Sequence, residues 1–157
     1  MRKIGFLLLV LLFCCSVVQA QSLTSAPDEK LTGLNAPDTS IAALHDGKPL
    51  YLNFWASWCP PCVREMPHID ALYQQYGDQM NFAAVTIDDN VDDAQTFLKK
   101  TGLTVPVYTG DLQRLAADYG LSAIPVSVLI AADGTVLAQT MGGMDAAALE
   151  AFLAPAL

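Results

Sequence analysis

Two continuous apolar runs and several helical patterns dominate the chain from residue 50 onward. Residues 50–55 and 81–87 contain too few polar positions for half-exposed strands, so each predicts a central strand covered on both faces. Residues 60–76 carry apolar side chains at 69, 72, 73 and 76, the i, i+3, i+4, i+7 spacing of one helix face. Gly77 predicts the end of that helix.

The rest of the chain predicts shorter elements of both kinds. Helices are expected at residues 92–100, at 111–119 and after Asp145, and strands at 105–108, 126–131 and 136–140. Asp133-Gly134, between the last two apolar runs, is a strong hairpin signal. Strands joined by helices and followed by a hairpin predict an α/β fold in one domain, with a mixed central sheet and helices on both faces.

The first 33 residues predict a targeting segment and a linker instead of a part of the folded domain. Arg2-Lys3, an apolar run at 4–18 and small residues up to Ala20 predict a signal peptide over residues 1–20 that is cleaved after Ala20. The alternative is an uncleaved membrane anchor, although the apolar run is short for a span. Residues 21–33 are polar and aperiodic and predict a leader or flexible linker, so the folded domain is expected at 34–157.

The net charge and the cysteine content exclude several classes of partner and fold. The net charge of −8 becomes −10 when Arg2 and Lys3 are removed, which argues against nucleic acid and anionic membrane surfaces as partners. Cleavage also removes Cys14 and Cys15, so that only the cysteines at 59 and 62 remain. A bridge that closes so short a loop adds little stability, so this pair is not the framework of a disulfide-stapled scaffold.

The motif Cys-Pro-Pro-Cys at 59–62 directly follows the first buried strand and opens the next helix. Free N–H groups and the helix dipole favour a thiolate on Cys59, which is the predicted nucleophile. Cys62, one helical turn away, is predicted to resolve the mixed disulfide that Cys59 forms with a substrate. Pro60 suits the first helical position, which needs no N–H donor. The predicted redox group is the Cys59–Cys62 disulfide itself, without a cofactor.

Other roles for the cysteine pair are a structural bridge, a zinc site or a copper-carrying dithiol. Zinc needs about four ligands, and only His45 and His68 remain to help, so we expect no metal site and place both histidines at the surface. The acidic residues at 88, 89, 92 and 93 lack calcium-loop spacing and are interpreted as turn and helix-dipole charges. Val63 excludes covalent haem attachment by a CxxCH motif. Because the sequence has no GxGxxG nucleotide motif, electrons are expected from a partner protein.

Residues 54–62, Phe-Trp-Ala-Ser-Trp-Cys-Pro-Pro-Cys, with Glu65 and Pro67 after them, resemble the exported thioredoxin-like proteins of the TlpA/ResA/CcmG group. The resemblance covers nearly the whole mature chain and includes Ile124-Pro125 ahead of a strand. It implies a thioredoxin-like fold, an extra helix inserted between the CxxC helix and this proline, and a cis peptide beside the cysteines. It also implies a periplasmic or otherwise exported reductant of protein disulfides, with a membrane thiol-transporting reductase as electron donor.

The resemblance also assigns roles around the cysteines. Glu65 lies three residues after Cys62 on the same helix face and is predicted to accept its proton, with a pKa raised by partial burial. The alternative from spacing alone is a solvated carboxylate near a helix N-terminus. The candidate substrate-binding residues are Trp58, Pro60, Pro61, Ile124 and Pro125. For Trp58 the alternative is ordinary packing, whereas Trp55 on the strand is expected in the core.

Two departures from the group bear on the narrower function. Val126 follows the proline where the group usually has threonine, and the Gly-x-Pro-Glu-like sequence of dedicated cytochrome c maturation reductases is absent. Cytochrome c maturation and related metalloprotein assembly are therefore expectations within a broader reductase function. A disulfide oxidase or isomerase on the same fold is the alternative, because the direction of exchange depends on redox potential.

Overall fold

The computed structural model describes residues 23–157, so the predicted signal peptide at 1–20 lies outside the described residues. The strands are β1 (Lys30–Gly33), β2 (Thr39–Ser40), β3 (Leu50–Trp55), β4 (Asn81–Thr86), β5 (Val107–Gly110), β6 (Val126–Ile130) and β7 (Val136–Met141). The helices are α1 (Ile41–His45), α2 (Pro60–Tyr76), α3 (Val91–Thr101), α4 (Leu112–Tyr119) and α5 (Ala146–Leu153), with a 3₁₀ turn at Ala154–Ala156. No helix in this part of the chain is both long and apolar enough to cross a membrane.

All seven strands form one sheet, in the order β2-β1-β5-β4-β3-β6-β7. β4 runs parallel to its neighbours β3 and β5, whereas every other neighbouring pair is antiparallel. The predicted mixed sheet is confirmed, and so is the hairpin between β6 and β7. Its turn contains Gly134 at φ 87°, a conformation that favours glycine.

Strand β3 divides the core between the two faces of the sheet. All six of its residues are buried. Because side chains alternate along a strand, Tyr51 and Trp55 belong to one core cluster, whereas Leu52 and Phe54 belong to the other. The first cluster includes residues of α2, α3 and α5, and the second includes residues of α1 and α4. Helices on both faces are therefore confirmed, and two-sided burial explains why this strand is almost entirely apolar.

Helix α3 is the insertion that the resemblance implies, between α2 and Pro125. Asn90 caps its N-terminus, and Gly102 ends it in the left-handed conformation at φ 69°. Carboxylates in its first turn and lysines in its last turn complement the helix dipole. Phe97 packs against Trp55, with ring centroids 5.1 Å apart. The insertion therefore contacts the strand that leads to the cysteines.

The linker prediction for residues 21–33 is wrong in the part that the structure describes. Lys30–Gly33 form β1 between β2 and β5, and Leu31 is buried. Upstream, Ser25 pairs with Thr135 next to the hairpin turn. Because backbone pairing rather than a periodic apolar face holds this segment, its side chains show no strand pattern. The folded domain therefore begins before residue 34.

Candidate active site

The N-terminal end of α2 carries both cysteines. Cys59 is the N-cap residue and Pro60 takes the first helical position. The Sγ atom of Cys59 lies 3.4 Å from the backbone nitrogen of Cys62, so a thiolate there faces an N–H group at the positive end of the helix dipole. The two cysteines form a disulfide. Both cysteines are buried, with 4% of Cys59 and 1% of Cys62 exposed.

The loop at Ile124 and Pro125 lies against this disulfide. The peptide bond between them is cis, as the resemblance implies. The carbonyl oxygen of Ile124 lies 3.9 Å from Sγ of Cys59. Within residues 23–157, the N–H and C=O of Ile124 bond to no other backbone group, whereas Pro125 accepts a hydrogen bond from the N–H of Gly142 at 2.8 Å. The backbone of Ile124 is therefore free to pair with an extended peptide segment beside Cys59.

Trp58 and the two prolines form the outer side of the site. Trp58 is 65% exposed, which excludes a role in core packing. Pro60 is exposed and Pro61 is half-buried. Trp55, three residues earlier, is fully buried, as predicted for a core residue. The structure thus brings an exposed indole, the CxxC prolines and the Ile124 loop around Cys59.

Glu65 lies on α2, three residues after Cys62. It is buried, with only 2% of the residue exposed. Its Oε1 accepts a hydrogen bond from the N–H of Met144 at 3.2 Å, and its Oε2 has no partner among residues 23–157. Burial raises the pKa of Glu65 to about 7, against a smaller lowering by the bond from Met144. The solvated-carboxylate alternative is therefore wrong. A carboxyl with this pKa can exchange a proton near neutral pH.

A cleft of about 340 Å³ gives Glu65 a route to solvent. It lies between the first turns of α2 and the loop before α5, and its lining residues are Pro61, Arg64, Glu65, His68, Gly143, Met144 and Asp145. Since water occupies about 30 Å³ per molecule in the liquid, the cleft has room for several. A proton on Glu65 can therefore reach bulk water without crossing the core.

A polar network on the sheet was not predicted from the sequence. The hydroxyl groups of Tyr51 and Ser127 are 2.8 Å apart, and the side-chain amide of Asn53 donates to Ser127 at 3.1 Å. Burial, followed by the charge of Glu65, raises the pKa of Tyr51 well above its ordinary value. Tyr51 therefore stays protonated beside Glu65. The available signal was the presence of asparagine and serine in otherwise apolar strands.

Asp88 is another residue whose contacts were not predicted from the sequence. It was interpreted as a turn charge, but only 2% of it is exposed. Its carboxylate accepts hydrogen bonds from the N–H and hydroxyl of Ser57 and from the hydroxyl of Thr86. Asp88 therefore contacts the loop that leads into Cys59.

The two histidines differ in their exposure to solvent. His68 is exposed, as predicted, at the edge of the cleft beside Glu65. His45 is only half-exposed and lies against the hairpin turn at Gly134, so its prediction as a surface residue is only partly right. In the described part of the chain, no three His, Cys, Asp or Glu side chains are grouped so that they could hold a metal ion.

This chain is similar to known proteins in both sequence and fold. The Redoxin family profile matches residues 21–153. Over 129 residues the chain is 33% identical to thiol-disulfide oxidoreductase ResA of Bacillus thuringiensis, covering 82% of this chain and 74% of the relative. A Chlorobium tepidum structure assigned as the thiol:disulfide interchange protein DsbE has a TM-score of 0.77 and 32% identity, covering 86% of this chain and 99% of that one. StoA from Bacillus subtilis has a TM-score of 0.71 and 26% identity, covering 82% and 98%.

These likenesses agree with the geometry of the site. The structural neighbours confirm the predicted thioredoxin-like fold. The family match covers almost all of the described residues, including Cys59, Cys62 and Glu65. The chain therefore belongs to the redoxin family, as a thioredoxin-like protein of the TlpA/ResA/CcmG type.

Proposed function

We propose that this redoxin is a thiol–disulfide oxidoreductase that reduces protein disulfides outside the cytoplasm. The observation that carries the proposal is the Cys59–Cys62 pair at the N-terminus of α2. Beside it lies Ile124, whose backbone bonds to no other backbone group within residues 23–157. Names of relatives support the same chemistry, since one is a thiol-disulfide oxidoreductase and another a thiol:disulfide interchange protein.

The reaction begins with the reduced protein. The thiolate of Cys59 attacks one sulfur of a substrate disulfide, whose S–S bond breaks, and the second substrate sulfur leaves as a thiolate that takes a proton from solvent. Cys62 then loses its proton and attacks Sγ of Cys59. The mixed disulfide breaks, and the first substrate sulfur leaves and is protonated. Two electrons pass to the substrate, and Cys59–Cys62 becomes the disulfide.

Glu65 manages the proton of Cys62 in this scheme. Its Oε2 has no hydrogen-bond partner within residues 23–157, so this oxygen is available to take a proton. A pKa of about 7 matches the acceptor to neutral pH, where it can also release the proton again. The cleft at His68 then returns that proton to solvent.

Substrate is seated around Cys59 by the candidate binding residues. An extended segment pairs with the backbone of Ile124, while the carbonyl of Pro125 holds this loop against Gly142, directly after β7. Trp58 offers an exposed aromatic face, and Pro60 and Pro61 complete the apolar rim. These contacts are sequence-tolerant, as a protein reductant with several substrates requires.

The protein acts after export and depends on a partner that reduces it. The predicted signal peptide at 1–20 directs the chain to the periplasm or cell envelope, either released or retained as an anchor. The oxidised cysteine pair has to be reduced in every cycle, and a membrane thiol-transporting reductase is the proposed donor. Apocytochromes and metalloprotein-assembly factors are the proposed substrate class, as in cytochrome c maturation.

The test is insulin-disulfide reduction by the purified mature chain with dithiothreitol as electron source. The wild type is expected to accelerate it, and Cys59→Ser is expected to abolish the acceleration. Cys62→Ser is expected to accumulate the mixed disulfide, and in cells it traps the physiological substrates. His45→Gln, at the hairpin turn, serves as the matched control with full activity.

Three results would contradict the proposal. Turnover that survives Cys59→Ser removes this residue as the nucleophile. A strongly oxidising potential in glutathione buffer makes the protein an oxidase or isomerase rather than a reductant. Tight Cu(I) binding by a wild type that reduces no disulfide would favour a metal carrier instead.

A further inference from the structure

A buried carboxylate that the proposed mechanism does not use fixes the turn in front of the nucleophile. Residues 56–59 form a turn closed by a hydrogen bond from the N–H of Cys59 to the carbonyl of Ala56 at 3.2 Å. Asp88 accepts from the N–H of Ser57 at 3.0 Å and from its hydroxyl at 2.8 Å. The hydroxyl of Thr86 donates to the same carboxylate at 2.6 Å.

The surroundings of Asp88 strengthen this contact. Asp88 follows β4 near the middle of the sheet, and the N–H of Ile87 bonds to the carbonyl of Trp55 at 2.8 Å. Only 2% of Asp88 is exposed, and hydrogen bonds to a charged acceptor are short and strong in such an environment. The segment after β4 therefore bonds twice to the end of β3 and the turn that follows it, through Ile87 to Trp55 and through Asp88 to Ser57.

Trp58 depends on this support in a way that Cys59 does not. With 65% of Trp58 exposed, little packing fixes its indole, so the backbone of the turn sets its position. Asp88 bonds to the residue immediately before it. Cys59, in contrast, is also held as the N-cap of α2.

We propose that Asp88 is a positioning residue that holds Trp58 in place for the docking of protein substrates. It contacts neither the sulfurs nor the substrate, and it acts through Ser57. The kinetic part of this inference rests on the proposed function, whereas the position of the indole can be measured without any substrate.

The test compares Asp88→Asn with Asp70→Asn. Asp70 is also a buried carboxylate, 8% exposed, but it binds the backbone of Thr104 and Val105 instead of the active-site turn. Both variants remove a buried charge, so a merely structural role for Asp88 would give the same result in both. Ser57→Ala, which removes only the hydroxyl donor, is the milder second variant.

The first readout is ¹⁹F NMR of the oxidised protein labelled at its two tryptophans. We expect Asp88→Asn to shift or broaden the Trp58 resonance, Ser57→Ala to do so less, and Asp70→Asn to leave it unchanged. An unchanged Trp58 resonance in Asp88→Asn would overturn the proposal even if the protein reduces no disulfide.

The second readout is kcat/KM for insulin disulfides. We expect Asp88→Asn to lower it about tenfold, because small misplacements of a docking group are costly, whereas Asp70→Asn keeps the wild-type value. In the Trp58→Ala background, the further loss from Asp88→Asn should shrink to about twofold, since the two changes then remove the same interaction. A full tenfold loss in that background, or an equal loss in Asp70→Asn, would overturn the proposal.

Discussion

Helix α2 carries two buried carboxylates whose surroundings differ sharply. Glu65 is 2% exposed and Asp70 is 8% exposed. Asp70 accepts four hydrogen bonds, two of them from backbone N–H groups at 2.7 Å. Glu65 accepts one, from the N–H of Met144 at 3.2 Å, and its second oxygen has no partner within residues 23–157.

The difference separates a carboxylate that joins two segments of the fold from the proposed proton acceptor. Asp70 is surrounded by donors, so its charge joins α2 to the segment before β5. Glu65 has too few donors to stabilise its charge, and burial raises its pKa to about 7. Burial alone therefore does not separate these two carboxylates, whereas the number of hydrogen-bond donors around each one does.

The largest expected effect is on the resolving step. Glu65→Gln should slow the attack of Cys62 on the mixed disulfide by about 10²-fold or more, because a positioned proton acceptor is worth that much. Stopped-flow tryptophan fluorescence with a peptide disulfide measures this step. The wild-type rate should rise through an inflection near pH 7, where Glu65 titrates, and the variant should lack that inflection.

Asp70→Asn is the matched control for this experiment. It removes a buried carboxylate from the same helix and should leave the resolving rate and its pH profile unchanged. An unaltered rate in Glu65→Gln would remove Glu65 from the mechanism.

The second effect is on the pH dependence of the free energy of unfolding. Because burial raises the pKa of Glu65 from 4.5 to about 7, the folded state binds more protons than the unfolded state between these values. The contribution of Glu65 to stability is therefore greatest below pH 4.5 and falls as the pH rises through 7, by up to about 3 kcal/mol. Urea unfolding of the oxidised protein at pH 5 and pH 8 measures it.

The comparison of variants isolates the contribution of Glu65 from those of other titrating groups. Glu65→Gln should lose this part of the pH dependence and be more stable than the wild type at pH 8. Asp70→Asn should keep it. Parallel pH curves for the wild type and Glu65→Gln would mean that Glu65 is not desolvated in solution.

Much of the fold could be predicted from local signals in the sequence. The continuous apolar run at 50–55 corresponds to the doubly covered strand β3. The helices predicted at 92–100 and 111–119 correspond to α3 and α4, and each is followed by a glycine in the left-handed conformation, Gly102 or Gly120. The position of Cys59 at the start of α2 follows from the same logic, because proline after it suits the first helical turn.

The contacts of the polar residues could not be predicted in this way. The N–H and hydroxyl of Ser57 that bind Asp88 lie 31 positions earlier in the chain, and the N–H that binds Glu65 lies 79 positions later, at Met144. No local pattern encodes such distances. Strand β1 was missed for a related reason, since its partners β2 and β5 rather than its own side chains hold it in the sheet.

The third effect is the stability loss in Asp70→Asn. In Asp70→Asn the amide oxygen can still accept from the two backbone N–H groups, which both bind Oδ1. The acceptor loses its charge, however, and the new NH2 group meets the Nε2 donor of Gln74, so the free energy of unfolding should fall by about 2 kcal/mol. Chemical denaturation at one pH checks this value, with Glu65→Gln as the contrasting variant. A loss in Asp70→Asn no larger than that in Glu65→Gln would mean that the number of donors does not separate the two sites.

The smallest effect tests whether the hydrogen bonds around Asp70 are redundant. The side-chain amide of Gln74 donates to Oδ2 of Asp70 at 2.9 Å from an exposed position on α2. Gln74→Ala removes this bond alone and should lower the free energy of unfolding by about 0.5 kcal/mol, since water can replace an exposed donor whereas the backbone donors remain. A loss as large as that in Asp70→Asn would show that the carboxylate depends on every donor, and the contrast with Glu65 would then be one of degree.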